Sequence, residues 1–499
     1  MPAFNDPRPR PEHAPMKSSA LLALGLLLGA SAPALAAATP EEAQRLTALF
    51  QSYLSADPGV VTVTPSGSSY AARFDLAPLI ARLQVPGLTA SVTPIEWTIT
   101  PQGAGKWQVD QDQPLSMAAK VDGQFDVKAQ LGAVTGTGIF DEALGTFAST
   151  STEYRQIAIE QTVTEQNQTA RSSYTIASVK VQSANTGMGG NVDGGQTQSY
   201  LGFRQTTSLP AAPDGSSPAM DFTLSSPEGQ QEVTYSGLKV QALNSLLAWA
   251  VAHNSEQAII AGQAELKDKL RAAMPVFSQI AGETTMKDVN LNSIAGSFSV
   301  RELGIAAEMN GIVAQGRFRE TISLSGFRVP AELLPQWAAG LVPENLRIDV
   351  YLSDFNLAAP AAMMIDRFDL SKDPPLPQEL DNELLAALLP GGSLTIGLGP
   401  SEILAALYHL TAEGSMTAGP VAMPQGKGVV KLKGLDETMA VLQAAPAEMG
   451  MQQVTPLLLL VKGLGKQGPD GYLSWSIEST PEGSVTVNGT DITKMMGGP

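Results

Sequence analysis

Leu324-Ser325-Gly326-Phe327-Arg328-Val329 places apolar residues first, fourth and sixth, so a strand-like alternation slips by one residue across Gly326. The same form returns as Tyr235-Ser236-Gly237-Leu238-Lys239-Val240, Leu352-Ser353-Asp354-Phe355-Asn356-Leu357, Met286-Lys287-Asp288-Val289-Asn290-Leu291 and Ile176-Ala177-Ser178-Val179-Lys180-Val181. Leu432-Lys433-Gly434-Leu435-Asp436 is a partial copy and Tyr154-Arg155-Gln156-Ile157-Ala158-Ile159 a weaker one. Glycine or aspartate at such a slip is what a β-bulge requires, because the bulged residue bends the strand and increases its twist. Several bulges in one sheet curl it strongly. The copies are irregularly spaced, which excludes a fixed-period solenoid, although short motifs of this kind also arise in unrelated strands. Gly237, Gly326 and Gly434 are therefore expected at strand irregularities, with Asp288 and Asp354 in equivalent places. Leu238, Phe327 and Phe355 are expected to turn toward the apolar side.

Around these breaks the chain reads as long runs of strand followed by helices. Residues 41–56 form an expected helix, with Pro40, Glu41 and Glu42 suiting its first turn and Leu46, Leu49, Phe50 and Tyr53 on one face. From 60 to about 240 the pattern is strand-like, Val121, Phe125, Val127, Ala129 and Leu131 keeping a period of two. Stretches 187–195 and 210–218 read as loops rich in Gly, Pro, Ser and Asp. Asn244 is placed to cap a helical stretch reaching 280, broken or kinked at Pro275, and further helices are expected at 331–341, 378–389 and about 435–448.

Because strands come in runs, the expected class is α+β: a large, strongly curved antiparallel β-sheet with bulged strands packed against amphipathic helices. Residues 37–240 would be a mainly antiparallel β region. Residues 241–499 would be an α+β region of repeated bulged-strand-to-helix units sharing the same sheet. Two such units lead into apolar, Trp-bearing segments, one with Leu246, Leu247 and Trp249, the other with Leu333, Leu334 and Trp337.

Composition and the N-terminus limit the setting. Met16-Lys17, an apolar run over 20–30 and Ala34-Leu35-Ala36 form a basic n-region, an h-region and a small-residue cleavage site. Residues 1–36 are thus an upstream extension, before Met16, plus a signal peptide cleaved near Ala36. The expected location is the periplasm. The run is too short to span a membrane, and no second one follows, so no transmembrane segment is expected in the mature chain. With 31 Lys+Arg against 48 Asp+Glu, a net charge of -17 argues against nucleic acid as a partner. The absence of cysteine excludes disulfides, thiolate nucleophiles and Cys-type metal sites.

Catalytic patterns are poorly supported. The mature histidines are His253 and His409, with no G-x-S-x-G elbow and no H-E-x-x-H. Gly463-Leu464-Gly465-Lys466-Gln467-Gly468 matches G-x-G-x-x-G, but Pro469-Asp470-Gly471 and a strand-like segment follow instead of a helix, so a helix end and linker are expected. Asp366 and Asp369, or Glu379, Asp381 and Glu383, are candidate carboxylates for Ca²⁺ binding or glycoside cleavage, though charged helix surfaces account for them. No catalytic residue, metal site or cofactor is assigned.

The segment 428–436, the run 456–461, and 470–477 with 483–489 resemble a periplasmic domain-of-unknown-function family of Gram-negative bacteria, and more distantly the AsmA-like envelope proteins. The resemblance implies a curved sheet without known catalytic residues, and lipid handling by analogy with the AsmA-like group. The leading expectation is a non-catalytic exported envelope protein binding a lipid or other apolar ligand between curved sheet and helices. Leu246, Trp249, Leu333, Trp337, Leu384 and Leu388 are its candidate lining. A periplasmic protein-interaction scaffold, engaging an envelope partner, is the alternative, and an acidic-site hydrolase the third.

Overall fold

The computed structural model describes residues 37–493 except 83–84, 166–167, 213–217, 378, 421–422 and 447–453. The expected signal peptide and upstream extension, residues 1–36, lie outside the described residues. Period-two sequence becomes one antiparallel sheet: β1 (Val61–Ser66), β2 (Ser69–Phe74), β3 (Leu88–Val92), β4 (Ile95–Gly103), β5 (Lys106–Val121), β6 (Phe125–Asp141), β7 (Thr146–Glu165), β8 (Gln168–Met188), β9 (Asn191–Leu209) and β10 (Met220–Leu238). It continues through β11 (Gln279–Ser293), β12 (Gly296–Asn310), β13 (Gly316–Ser325), β14 (Pro343–Phe355), β15 (Leu394–Ala405), β16 (His409–Ala418) and β17 (Gln425–Lys433). The last strands are β18 (Lys466–Gln467), β19 (Leu473–Ser479), β20 (Val485–Val487) and β21 (Thr490–Asp491).

Pairing runs β1–β2–β4–β5, then in chain order from β5 to β17, then β19–β20–β21. β3 pairs with the second half of β5, and β18 with the start of β19. The sheet does not close on itself.

Among the described residues the helices are α1 (Pro40–Tyr53), α2 (Ala77–Ala81), α3 (Val240–Ala252), α4 (Glu256–Ala261), α5 (Gln263–Ala273), α6 (Ala358–Arg367), α7 (Leu380–Leu388), α8 (Leu435–Gln443) and α9 (Thr455–Leu464), with a 3-10 segment at Gln336–Leu341. With 54% strand and 22% helix, the protein is mainly β, which corrects the α+β expectation. The physical reason lies in strand length: β7 to β10 run 19 to 21 residues each, whereas the two longest helices among the described residues, α1 and α3, have 14 and 13. None of the helices among the described residues is long and apolar enough to cross a membrane.

Three local expectations also change. The supposed 187–195 loop is the tight β8–β9 hairpin, whose strands pair up to Met188 and Asn191. Asn244 caps nothing; it lies inside α3, and its amide donates to Gly145 O at 2.8 Å, tying the helix to the β6–β7 turn. The stretch at 331–341 forms a turn and the 3-10 segment, not an α-helix.

The phase breaks mark left-handed backbone at five of the named positions: Gly237 (φ 62), Gly326 (φ 65), Gly434 (φ 84), Asp288 (φ 46) and Asp354 (φ 65), and Gln156 (φ 54) in the weaker copy joins them. Gly237 and Asp354 sit at register shifts, β10 against β9 and β14 against β13. Gly326 and Gly434 lie just beyond their strands, Gly434 starting α8. Paired residues of antiparallel strands share a face, so register exposes the sheet's design. One transverse row reads Met286, Leu303, Leu324, Leu346, Ile403, Leu410, Leu432 and Leu473 on successive strands.

This apolar face carries the helices at both ends of the sheet. α1 packs Ala43 and Leu46 against Val61, Val63, Tyr70, Ala72, Ile99 and Trp107. α8 and α9 pack Leu435, Met439, Leu458 and Val461 against Val430, Leu432, Leu473 and Trp475. Between them part of the face is uncovered: Ile305, Ile322 and Ile348, mutually paired, are 38–43% exposed, as are Val350, Ile396 and Met416 at 39–42%.

Candidate functional site

Local rules place α1 well. Thr39 caps it, Oγ1 accepting from Glu42 N at 3.2 Å, Pro40 opens the first turn, and Glu41 and Glu42 complement the dipole. Period 3.6 then sets Leu46, Leu49, Phe50 and Tyr53 on the face toward the sheet. That face closes onto the strands at Leu46 but not along its whole length. Beneath it is a cavity of about 260 Å³ whose opposite wall is built by Phe74 of β2, Trp97 and Ile99 of β4, Trp107 and Val109 of β5, Phe140 of β6 and Phe147 of β7.

Rigid rings hold the space open. Phe74 meets Trp97 edge-on at 4.8 Å and Phe50 at 5.2 Å, while Phe140 meets Phe147 at 5.5 Å. Edge-to-face pairs of this kind resist collapse into a flat stack. Gly138 is needed at the far side, because a Cβ there would come within 2.9 Å of Phe147 Cδ1 and 3.0 Å of Ser149 O.

Glu142 is the one charged side chain among the described lining residues. Its Oε1 accepts from Trp107 Nε1 and from Arg45 Nη2, both at 2.7 Å, and Arg45 Nε also donates to Glu42 at 2.8 Å. Its hydrogen bonds to Glu42 first, then to Glu142, push the Arg45 guanidinium further above its ordinary value. Arg45 also lies 5.6 Å above the Trp107 ring. The mouth therefore carries two carboxylates on one guanidinium, and the interior carries hydrocarbon.

The residues expected to line a ligand site lie elsewhere. Leu246 and Trp249 share α3, Leu384 and Leu388 share α7, Trp337 is in the 3-10 segment and Leu333 in the turn before it. None of the six is in the α1 cavity. Trp249 is 6% exposed and stacks on His253 at 4.2 Å, and Leu333 is 47% exposed. The cavity's signal in the sequence was the helical face of Leu46, Leu49, Phe50 and Tyr53; the strand aromatics opposite it become neighbours only through register.

The other candidates for chemistry are held in structural pairs. His409 Nδ1 lies 2.5 Å from the Tyr472 hydroxyl, and Nε2 lies 2.7 Å from Glu402 without hydrogen-bond alignment. Asp366 takes Arg271 at 2.7 Å and Glu383 takes Arg367 at 3.5 Å. The Ser371 hydroxyl and backbone N–H, with Lys372 behind them, hold the Asp369 carboxyl down to about 2, which keeps it ionised and unsuited to donate a proton. The glycine motif ends α9, with Gly465 as its C-cap, before β18. No protein-family model, curated protein or solved structure matches the chain.

Proposed function

We propose that this is a non-catalytic exported protein of the periplasmic envelope that holds an apolar ligand, a hydrocarbon chain, in the cavity between α1 and the sheet. One observation carries the reading: about 260 Å³ of space walled by aliphatic and aromatic side chains, with Glu142 the one charged side chain among the described lining residues. Dry apolar cavities of about 150 Å³ accept benzene, so this one accepts a longer hydrocarbon segment. Each methylene buried contributes about 0.8 kcal/mol. Preformed walls reduce the ordering cost that binding would otherwise carry.

The test is titration of the protein with 1-decanol, followed by fluorescence of Trp97 and Trp107, alongside native mass spectrometry of protein purified from envelope extract. Leu49→Trp, which puts an indole into the space, is expected to weaken decanol binding at least about tenfold while circular dichroism stays unchanged. Wild-type protein that takes up no decanol and retains no lipid, or a Leu49→Trp variant that binds as well as wild type, sinks the proposal.

The scaffold reading draws on a different observation, the uncovered Ile305, Ile322 and Ile348 row. Exposed apolar patches on a soluble protein mark contact surfaces.

A further inference from the structure

The polar face of the same sheet has a feature that solvent exposure alone does not explain. Register aligns Glu308 of β12, Arg319 of β13, Tyr351 of β14, Gly397 of β15, Ser415 of β16, Lys427 of β17 and Glu478 of β19 in one transverse row. Six strand-to-strand steps make the row about 29 Å long. It forms the floor of an open trough of about 1,020 Å³.

Two details show that this floor is shaped. First, Tyr351 lies across the bare backbone of Gly397: a Cβ there would come 1.9 Å from its Cζ, so the ring is an aromatic plate set into the sheet. Second, Asp349 has no exposed surface, yet it grips Arg319 through Nε at 2.8 Å and Nη2 at 2.5 Å. Gly399 makes room for it, since a Cβ there would lie 2.7 Å from Asp349 Cγ, and the Asp349 N–H donates to Ser401 Oγ at 3.0 Å. Burying a carboxylate is costly, and its effect here is orientation. Arg319 is fixed beside the Tyr351 plate while nearly half of its side chain, 46%, stays open.

The charges specify the ligand. Glu308 stands directly opposite Arg319, and Lys427 directly opposite Glu478, so opposite signs cancel along the row and no net field selects an ion. What remains is an aromatic plate flanked by oriented donors and acceptors. A flat ring with one C–H face and hydroxyls at its edges matches that arrangement.

We infer that the trough binds an uncharged oligosaccharide laid across the strands, one sugar ring stacked on Tyr351 with hydroxyls bonded to Arg319, and a further ring along the chain bonded to Lys427. This site is independent of the α1 cavity, and neither reading needs the other.

The test is calorimetric titration of the full protein with two probes, β-1,4-linked glucose hexamer and β-1,4-linked N-acetylglucosamine hexamer. At least one is expected to bind, with Tyr351→Ala weakening it about tenfold or more and Tyr351→Phe, which keeps the plate, within about threefold of wild type. Binding is expected to change little between low and high salt, and Leu49→Trp to leave it unchanged. Failure of both hexamers to bind at millimolar concentration overturns the inference. So does binding that survives Tyr351→Ala in a folded variant, or binding that high salt abolishes.

Discussion

The indole of Trp107 and the guanidinium of Arg45 donate to the same oxygen of Glu142, each at 2.7 Å, so one carboxylate ties α1 to β5 across the mouth of the apolar cavity. The two donors are not equivalent. Arg45 keeps Glu42 if Glu142 is lost, whereas Trp107, 9% exposed, has no second acceptor for Nε1 among the described residues. Glu142→Ala is therefore expected to lower stability by about 1–2 kcal/mol, the cost of an orphaned buried donor. Arg45→Ala removes half-exposed ion pairs and is expected to cost under about 1 kcal/mol. Urea unfolding of both variants checks the order, and an Arg45→Ala loss larger than that of Glu142→Ala contradicts it.

The Asp349 carboxyl is held below its usual value by hydrogen bonds from Arg319, with the charges of Arg319 and Arg347 adding to this against burial. A carboxyl depressed in the folded state binds its proton more readily when unfolded, so stability rises with pH across that interval. The contribution is complete above the unfolded value of about 3.9 and is lost as pH falls through the lower folded one. Asp349→Asn should remove this part of the acid dependence of stability. Arg319→Ala leaves a buried charge with only Arg347, 4.0 Å away, and is expected to cost about 2–3 kcal/mol, somewhat below a fully orphaned pair. Denaturation profiles from pH 7 to pH 3 that superimpose for wild type and Asp349→Asn would count against the pair.

Left-handed backbone at the phase breaks makes opposite substitutions act in opposite directions. Gly237→Ala adds a Cβ at φ 62 and 2.3 Å from Ser278 Oγ, which predicts a loss of about 1–3 kcal/mol. Asp288→Gly relaxes a non-glycine residue at φ 46 and is expected to gain up to about 1 kcal/mol. Thermal unfolding of the two variants decides, and a stabilising Gly237→Ala is the outcome that fails.

These positions show what a local reading captures. The slip in apolar phase marked Gly237, Asp288, Asp354 and even Gln156, because a left-handed residue must break alternation wherever the strand lies. The face of α1 was readable for the same reason, a period belonging to one helix. The α+β expectation underweights the strands beyond 278, where the sheet's apolar face carries bare or polar residues such as Gly282 and Thr284 of β11, which pair with Val233 and Gln231 and blur alternation along that strand. Apolar count alone then suggested a helix around Trp337, where Pro335 and the flanking geometry give a 3-10 segment. Neither the cavity nor the trough could be read ahead. Trp97, Trp107 and Phe140, like Arg319, Tyr351 and Lys427, are brought together only by the register of separate strands.

The uncovered apolar row supplies the last prediction. Ile322 lies opposite both Ile305 and Ile348, and the three are 40%, 43% and 38% exposed, so each is half in contact with its neighbours and half in water. Cross-strand pairs of branched residues support a sheet by about 0.2–1 kcal/mol each. Ile322→Lys sacrifices two such pairs but buries no charge, because the lysine stem can lie along Ile305 and Ile348 with its ammonium in solvent. The expected loss is about 1 kcal/mol, well below the 2–5 kcal/mol of emptying a closed core site. At the same time a charge now interrupts this bare stretch of the apolar face, so binding of an anilinonaphthalene dye, and any self-association seen by sedimentation, should fall. A loss above about 3 kcal/mol would mean that Ile322 is packed as core, and unchanged dye binding would place the accessible apolar surface elsewhere, with the exposed Leu457, Leu459 and Leu460 of α9 the next residues to substitute.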